Sequence, residues 1–223
     1  LDPDNPDLYY DVARIYQILG KYTDAMYFYD SVLAIRPTYR EIYLEIATLN
    51  EKLNQTSIAV GYYNRAMRYY PEDAELLYRR GVIHTLRESF DNALTDLQQA
   101  RELSPDDAKI RLALGKLYQA QGDLDPAFEE YGQALNLNPN YTDAYVQRGR
   151  IYYQRELYDR ALEAYNRALE LSPEHAEAYQ LRGLAHAALE DYTQAIVDYL
   201  EAIRLDPDDA WSHYYKAEAY LQF

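Results

Sequence analysis

The 223-residue chain contains no cysteine, which excludes disulfide bonds, thiolate catalysis and thiolate metal sites and leaves the cellular compartment undecided. Basic residues are also scarce, with 22 Lys and Arg against 37 Asp and Glu and a net charge of -15. Because nucleic acids bind to basic surfaces, this balance argues against a nucleic-acid partner. No apolar run reaches the ~18 residues that span a bilayer, so membrane insertion is not expected. Tyrosine is abundant, with 27 residues against 4 Phe and 1 Trp.

Recognisable catalytic and cofactor motifs are absent as well. The eight glycines form neither a GxGxxG pattern nor a Walker loop, and neither GxSxG nor HExxH occurs. No two of the four histidines have the i, i+4 spacing of a helical metal site. The sequence therefore predicts a protein that is not an enzyme, with no cofactor and no bound metal.

The prolines reveal an internal repeat, since seven of the nine recur at a constant interval of 34 residues. With those prolines at position 32 of each unit, complete units cover 6–39, 40–73, 74–107, 108–141, 142–175 and 176–209. Residues 1–5 then correspond to the tail of a preceding repeat, and residues 210–223 to the first helix of a seventh. We refer to the six complete units as repeats one to six.

Small and large residues recur at fixed positions of the repeat. Position 20 is Ala in all six repeats, position 8 is always Ala or Gly, and position 24 is Tyr in all but one. Small residues let helix axes approach closely, and large rings fill the space that remains. Position 18 is always Thr, Ser or Asp, which predicts the N-cap of a second helix, and the proline at position 32 ends that helix. Each repeat is therefore expected to be two antiparallel helices.

These positions resemble the tetratricopeptide repeat, whose pattern has an aromatic residue at positions 4 and 24, Leu-Gly at 7 and 8, Tyr at 11, Ala at 20 and 27, and Pro at 32. Segments such as Tyr145–Tyr152 and Ala161–Ala168 match that pattern closely. The resemblance implies an all-α, right-handed superhelical α-solenoid of antiparallel helix pairs. Arg80, Arg148 and Arg182 depart from it at position 7, where Leu is usual, and we expect their stems to pack while each guanidinium reaches water.

In this family the first helices line a concave face that binds a peptide or protein segment, so the resemblance implies a protein-protein interaction scaffold. Position 5 would supply apolar anchors, and positions 9 and 12 would add cations and an aromatic ring. An alternative is that position-5 side chains pack only against adjacent helices. The predicted peptide-groove residues are Tyr10, Arg14, Leu44, Tyr78, Val82, Leu112, Lys116, Val146, Arg150 and Tyr153.

Two other functions remain open from the sequence. The chain resembles a portion of a longer polypeptide, so it could be the substrate-recruiting or regulatory arm of a larger enzyme. The last helix lacks the polar outer face of a solenoid cap. It could therefore form a homo-oligomer through the C-terminal end, by way of Trp211, Tyr214, Tyr215, Tyr220 and Phe223.

Overall fold

A computed structural model describes residues 5–222, which form thirteen α-helices and no strand. None of these helices has the length and apolar character needed to cross a membrane. The helices are α1 (Pro6–Ile18), α2 (Tyr22–Ile35), α3 (Arg40–Lys52), α4 (Thr56–Met67), α5 (Ala74–Leu86), α6 (Phe90–Leu103), α7 (Ala108–Gln121), α8 (Leu124–Leu137), α9 (Thr142–Gln154), α10 (Tyr158–Leu171), α11 (Ala176–Ala188), α12 (Tyr192–Leu205) and α13 (Ala210–Gln222).

Two compact units divide the chain, the first ending at Pro105 and the second beginning at Asp106. The first unit contains α1 to α6, and the second contains α7 to α13. Within each unit consecutive helices pack against each other, and each repeat contributes one pair. The expected all-α architecture of paired helices is confirmed.

In each complete repeat the small residue at position 8 and the large residue at position 24, a tyrosine in all repeats but the third, hold the helix pair together. Tyr131 and Tyr165 are fully buried, and their rings lie directly on Gly115 and Gly149. A Cβ added to Gly149 would lie 2.4 Å from Cε1 of Tyr165, so the helices approach closely because no side chain intervenes. Most of the tyrosine excess at position 24 therefore has a structural role.

A left-handed residue at position 15 makes the turn inside every complete repeat. Gly20 and Gly122 adopt this conformation readily, but the other four turns place Asn54, Glu88, Glu156 and Glu190 at φ values of 56° to 62°. The backbone amide of position 16, which follows the left-handed residue, donates to the carbonyl of position 11. In repeat one this is the bond from Lys21 to Tyr16 at 2.9 Å. This bond closes the end of the first helix, as in a Schellman motif.

The N-caps predicted at position 18 are wrong by two residues. The chain has already turned at position 15, so each second helix begins at position 17 and its N-cap lies at position 16. Among these position-16 residues only Asp191 accepts a capping hydrogen bond through its side chain, from the amide of Gln194 at 3.2 Å. The residues at position 18 lie in the first turn of the second helix. The negative charges of Asp125 and Asp159 there interact favourably with the positive end of the helix dipole.

Candidate partner-binding surfaces

In the first unit, the predicted groove residues lie on the successive first helices α1, α3 and α5. Tyr10 is half-buried, and its ring lies 6.1 Å from that of Tyr39. Arg14 is exposed and donates from Nη1 to the Tyr10 hydroxyl at 3.3 Å. Leu44 on α3, and Tyr78 and Val82 on α5, also keep part of their surface exposed. We call Tyr10, Arg14, Leu44, Tyr78 and Val82 the first-helix row.

In the second unit, the predicted groove residues divide into buried and accessible side chains. Leu112 is 5% exposed and Val146 is 1% exposed, and both pack in hydrophobic clusters. Of the two interpretations of position 5, these two side chains fit the one in which they pack against adjacent helices. Lys116 is exposed, and Tyr153 is half-buried with its ring 5.4 Å from that of Tyr158.

Arg150 is already engaged within the second unit. Its guanidinium donates from Nη2 to Oε1 of Glu177, the position-2 residue of the following repeat. The predicted cation of the groove therefore has an intramolecular carboxylate partner. An acidic ligand would therefore share Arg150 with Glu177 or displace it.

The tyrosine hydroxyls at position 24 form a second pattern, which the sequence reasoning missed. In repeats one, two and four they donate to position 12 of the same repeat: Tyr29 to Gln17 at 2.5 Å, Tyr63 to Glu51 at 2.5 Å and Tyr131 to Gln119 at 2.6 Å. Burial raises the pKa of these three tyrosines, so they remain protonated donors at neutral pH. The recurrence of Gln or Glu at position 12 was the sequence signal for this pairing.

Two repeats carry a buried ionic network that was also missed. In repeat six, Arg182 donates from Nε and Nη2 to the carboxylate of Asp198, at 2.9 and 2.5 Å, and from Nη1 to Asn166 at 2.7 Å. His186 lies 3.9 Å from the same carboxylate. Repeat three has the same arrangement in Arg80, Asp96 and His84, with Asn64 of the preceding repeat as the amide partner.

The expected packing of the position-7 arginines needs correction for this reason. The guanidinium groups of Arg80 and Arg182 bind buried aspartates rather than only water, because position 23 carries Asp in these two repeats. Arg148 has Ala164 at that position, and its guanidinium lies over the Phe128 ring, 4.4 Å from the centroid. The pairing of Arg at 7 with Asp at 23 was visible in the repeat alignment.

The outer face of α13 is aromatic. Trp211 is 62% exposed and Tyr214 is 56% exposed, and their rings meet edge to face at 6.2 Å. Tyr220 is also exposed, whereas Tyr215 is half-buried and stacks on Tyr199 at 5.9 Å. Phe223, the remaining residue predicted for this surface, lies outside the described residues.

Comparison with family models identifies similar repeats along much of the chain. One model described as a tetratricopeptide repeat matches residues 112–176, 146–210 and 181–223, which together make up half of the chain. A model described as a TPR repeat matches residues 83–122, and a further tetratricopeptide repeat model matches residues 6–39. A comparison with curated protein sequences finds no match.

Solved structures share the fold at low sequence identity. A chain of the APC/C hetero-tetramer Cut9-Hcn1 aligns with a TM-score of 0.83 at 19% identity, over 98% of this chain and 43% of its own length. The pilF protein of Pseudomonas aeruginosa aligns at 0.77 and 20% identity, over 96% and 97% of the two chains. YrrB, a TPR protein with an unusual peptide-binding site, aligns at 0.59 and 22% identity, over 85% and 97%. This chain thus spans less than half the length of the first of these.

Proposed function

The chain belongs to the tetratricopeptide repeat family, and from that premise we propose that it is a non-enzymatic scaffold that binds a segment of a partner protein. The tetratricopeptide fold is in general a scaffold for protein-protein interaction. The structural neighbour YrrB has a peptide-binding site, and a similar role is proposed for this chain.

The first-helix row is the observation that carries this proposal. Three successive first helices of the first unit keep aromatic and aliphatic side chains partly exposed, although the neighbouring residues Ile46, Leu76 and Ile83 are buried. Partly exposed apolar side chains next to an exposed cation provide both parts of a peptide-binding surface, anchors and an orienting charge. Arg14 would pair with an acidic group of the bound segment.

Site-specific photocrosslinking tests this assignment. A photoreactive amino acid replaces Val82 in the first-helix row or, as a matched aliphatic control, Ile58 on the exposed side of α4. In a lysate of the source organism, we expect a discrete crosslinked partner from position 82 and none from position 58. Equal crosslinking from both positions, or none from position 82, would contradict the proposal.

Charge reversal provides a second arm of the same experiment. Arg14→Glu alters an exposed side chain, so folding should be unaffected while the crosslinking yield from position 82 falls several-fold. Arg68→Glu, at another exposed arginine just after α4, is the control and should leave the yield unchanged. An equal fall in both variants would show that overall charge, rather than the row, controls binding.

Self-association through α13 is a second candidate function, favoured by the exposed pair of Trp211 and Tyr214. Sedimentation velocity at increasing concentration should then show dimers that Trp211→Ala with Tyr214→Ala abolishes. Leu200→Ala, on the exposed side of α12, is the control. A chain that remains monomeric throughout the concentration series would reject this candidate.

A further inference from the structure

A pocket of about 640 Å³ opens in the second unit between α9, α11, α12 and α13. Its lining includes Tyr153, Tyr192, Tyr199, Tyr215 and Ala187, and the exposed Glu218 lies at its rim. Among the described residues that line it, none is Lys or Arg. We call this site the tyrosine pocket.

Position 12 is a small residue in repeat six, and it lines the pocket beside Tyr199. In repeats one, two and four, position 12 is Gln or Glu and reaches the hydroxyl of the position-24 tyrosine. In repeat six this position is Ala187, whose methyl group is shorter and offers no acceptor to Tyr199. The space that a glutamine would occupy is therefore open to a ligand.

The chemistry of the walls selects a cation. Aromatic faces attract positive charge through the ring quadrupole, and phenolic oxygens accept hydrogen bonds from ammonium or guanidinium groups. Glu218 is exposed and adds a carboxylate at the rim. An anion would face this carboxylate with no compensating base on the lining, in a chain whose net charge is already -15.

The electrostatics of Tyr199 agree with this selection. Burial raises the pKa of its hydroxyl, and the nearby carboxylates of Glu218 and Asp198 add to this rise. Tyr199 therefore remains protonated and carries no charge at neutral pH. A ligand that brings a positive charge would be attracted to these carboxylates.

We propose that the tyrosine pocket binds a Lys or Arg side chain of the partner segment. The methylene stem would contact Leu184 and Ala187, and the charged head would lie against the tyrosine rings with Glu218 as its counter-ion. This inference rests on the proposed function, because it names the side chain that a partner would place in the second unit.

Short model peptides test the pocket directly. The probes are an alanine pentapeptide with a central arginine and the same peptide with citrulline, which keeps the shape and removes the charge. The readout is the NMR signal of the Ala187 and Ala188 methyl groups, both of which line the pocket. We expect the arginine peptide to shift these signals and to bind at least about ten-fold more tightly than the citrulline peptide.

Two variants test the roles assigned to the residues. Ala187→Gln restores the side chain found in other repeats, so it should fill the pocket, bond to Tyr199 and abolish binding of the arginine peptide, with the Ala188 methyl as readout. Glu218→Gln removes only an exposed charge, so the fold should be intact and affinity should fall several-fold. Glu201→Gln on α12 removes the same charge outside the pocket and should have no effect.

The proposal is overturned if the two peptides bind equally, if Glu218→Gln binds the arginine peptide as tightly as the native chain, or if no methyl signal shifts up to about 10 mM peptide. An acidic peptide that binds more tightly than the arginine peptide would also overturn it. If the pocket fails these tests while partner crosslinking at position 82 persists, the proposed function stands without this site. If crosslinking fails as well, both are rejected.

Discussion

The Arg182–Asp198 ion pair in repeat six permits a quantitative test of how this protein holds buried charge. The aspartate is 2% exposed, and its two oxygens accept from the same guanidinium. Removing the arginine leaves a buried carboxylate without its cation, a change that typically costs about 3–5 kcal/mol. We expect Arg182→Leu to lower the free energy of unfolding by about that amount. Leucine itself fits position 7, since Leu114 is fully buried there in repeat four.

The two partners should respond unequally to mutation. The Arg182 side chain is 22% exposed, so after Asp198→Ala its guanidinium can turn toward water and keep its bond to Asn166. Asp198→Ala should therefore cost about 1–2 kcal/mol, less than Arg182→Leu. The double variant should be more stable than Arg182→Leu alone, because apolar replacement of a whole buried pair is often nearly neutral. Repeat five already has alanine at the aspartate position, as Ala164.

The assay must report on one region of the protein, because repeat proteins can unfold a few repeats at a time. Hydrogen exchange measured on peptides from α11 and α12 gives the local free energy, and urea denaturation gives the global value. The corresponding variants of Arg80 and Asp96 are the matched control, and they should increase exchange in α5 and α6 instead. Equal losses in Arg182→Leu and the double variant would refute the reasoning, as would a larger loss in Asp198→Ala than in Arg182→Leu.

Three further changes have expected outcomes. Glu156 has a left-handed backbone conformation, with φ 59°, that glycine adopts without strain. Glu156→Gly should therefore raise the free energy of unfolding in urea by about 1 kcal/mol. An unchanged free energy would contradict the idea that Glu156 is strained. Gly149→Ala places a methyl group against the Tyr165 ring and should lower stability by about 1–2 kcal/mol, with a smaller loss in a Tyr165→Leu background; equal loss in both backgrounds would show that the ring is not the cause. Burial alone would raise the pKa of Asp73. Hydrogen bonds from Arg40 and two backbone amides outweigh burial and lower the pKa below 3.8. Its stabilisation is therefore present above that pH and lost as pH falls through the lowered value, so Asp73→Asn should cost about 1–2 kcal/mol at pH 7 and reduce the further loss on acidification in urea titrations; a parallel pH profile would contradict this.

Much of the helical arrangement was predictable because the same residue pattern occurs in six repeats, and each repeat supports the same assignment of helices. The pairing of a small residue at position 8 with a large one at 24 recurs, and the structure places Tyr165 on Gly149 as that pattern requires. The start of the second helix was not predictable from capping preference alone. Asp125 is a good N-cap by residue type, but the left-handed Gly122 turns the chain earlier, so Asp125 falls in the first turn.

The candidate site was predicted less well than the fold. Leu112 and Val146 occupy the same repeat position as Tyr10 and Leu44, yet the first two are buried and the others are half-exposed. Repeat position decides the direction in which a side chain leaves its helix. Its exposure depends on the size and placement of the residues that surround it, which differ from one repeat to the next.

The amino-acid sequence by itself determined the 34-residue period, the helix pairs and the contacts within a pair, because those depend on residues a fixed distance apart in the chain. Only the tertiary structure decided which groove residues stay accessible, and that a pocket lies beside Ala187 and Tyr199. Those outcomes depend on several helices at once. Whether a side chain is buried or paired depends on residues from several packed helices, and a repeat position specifies only one of those residues.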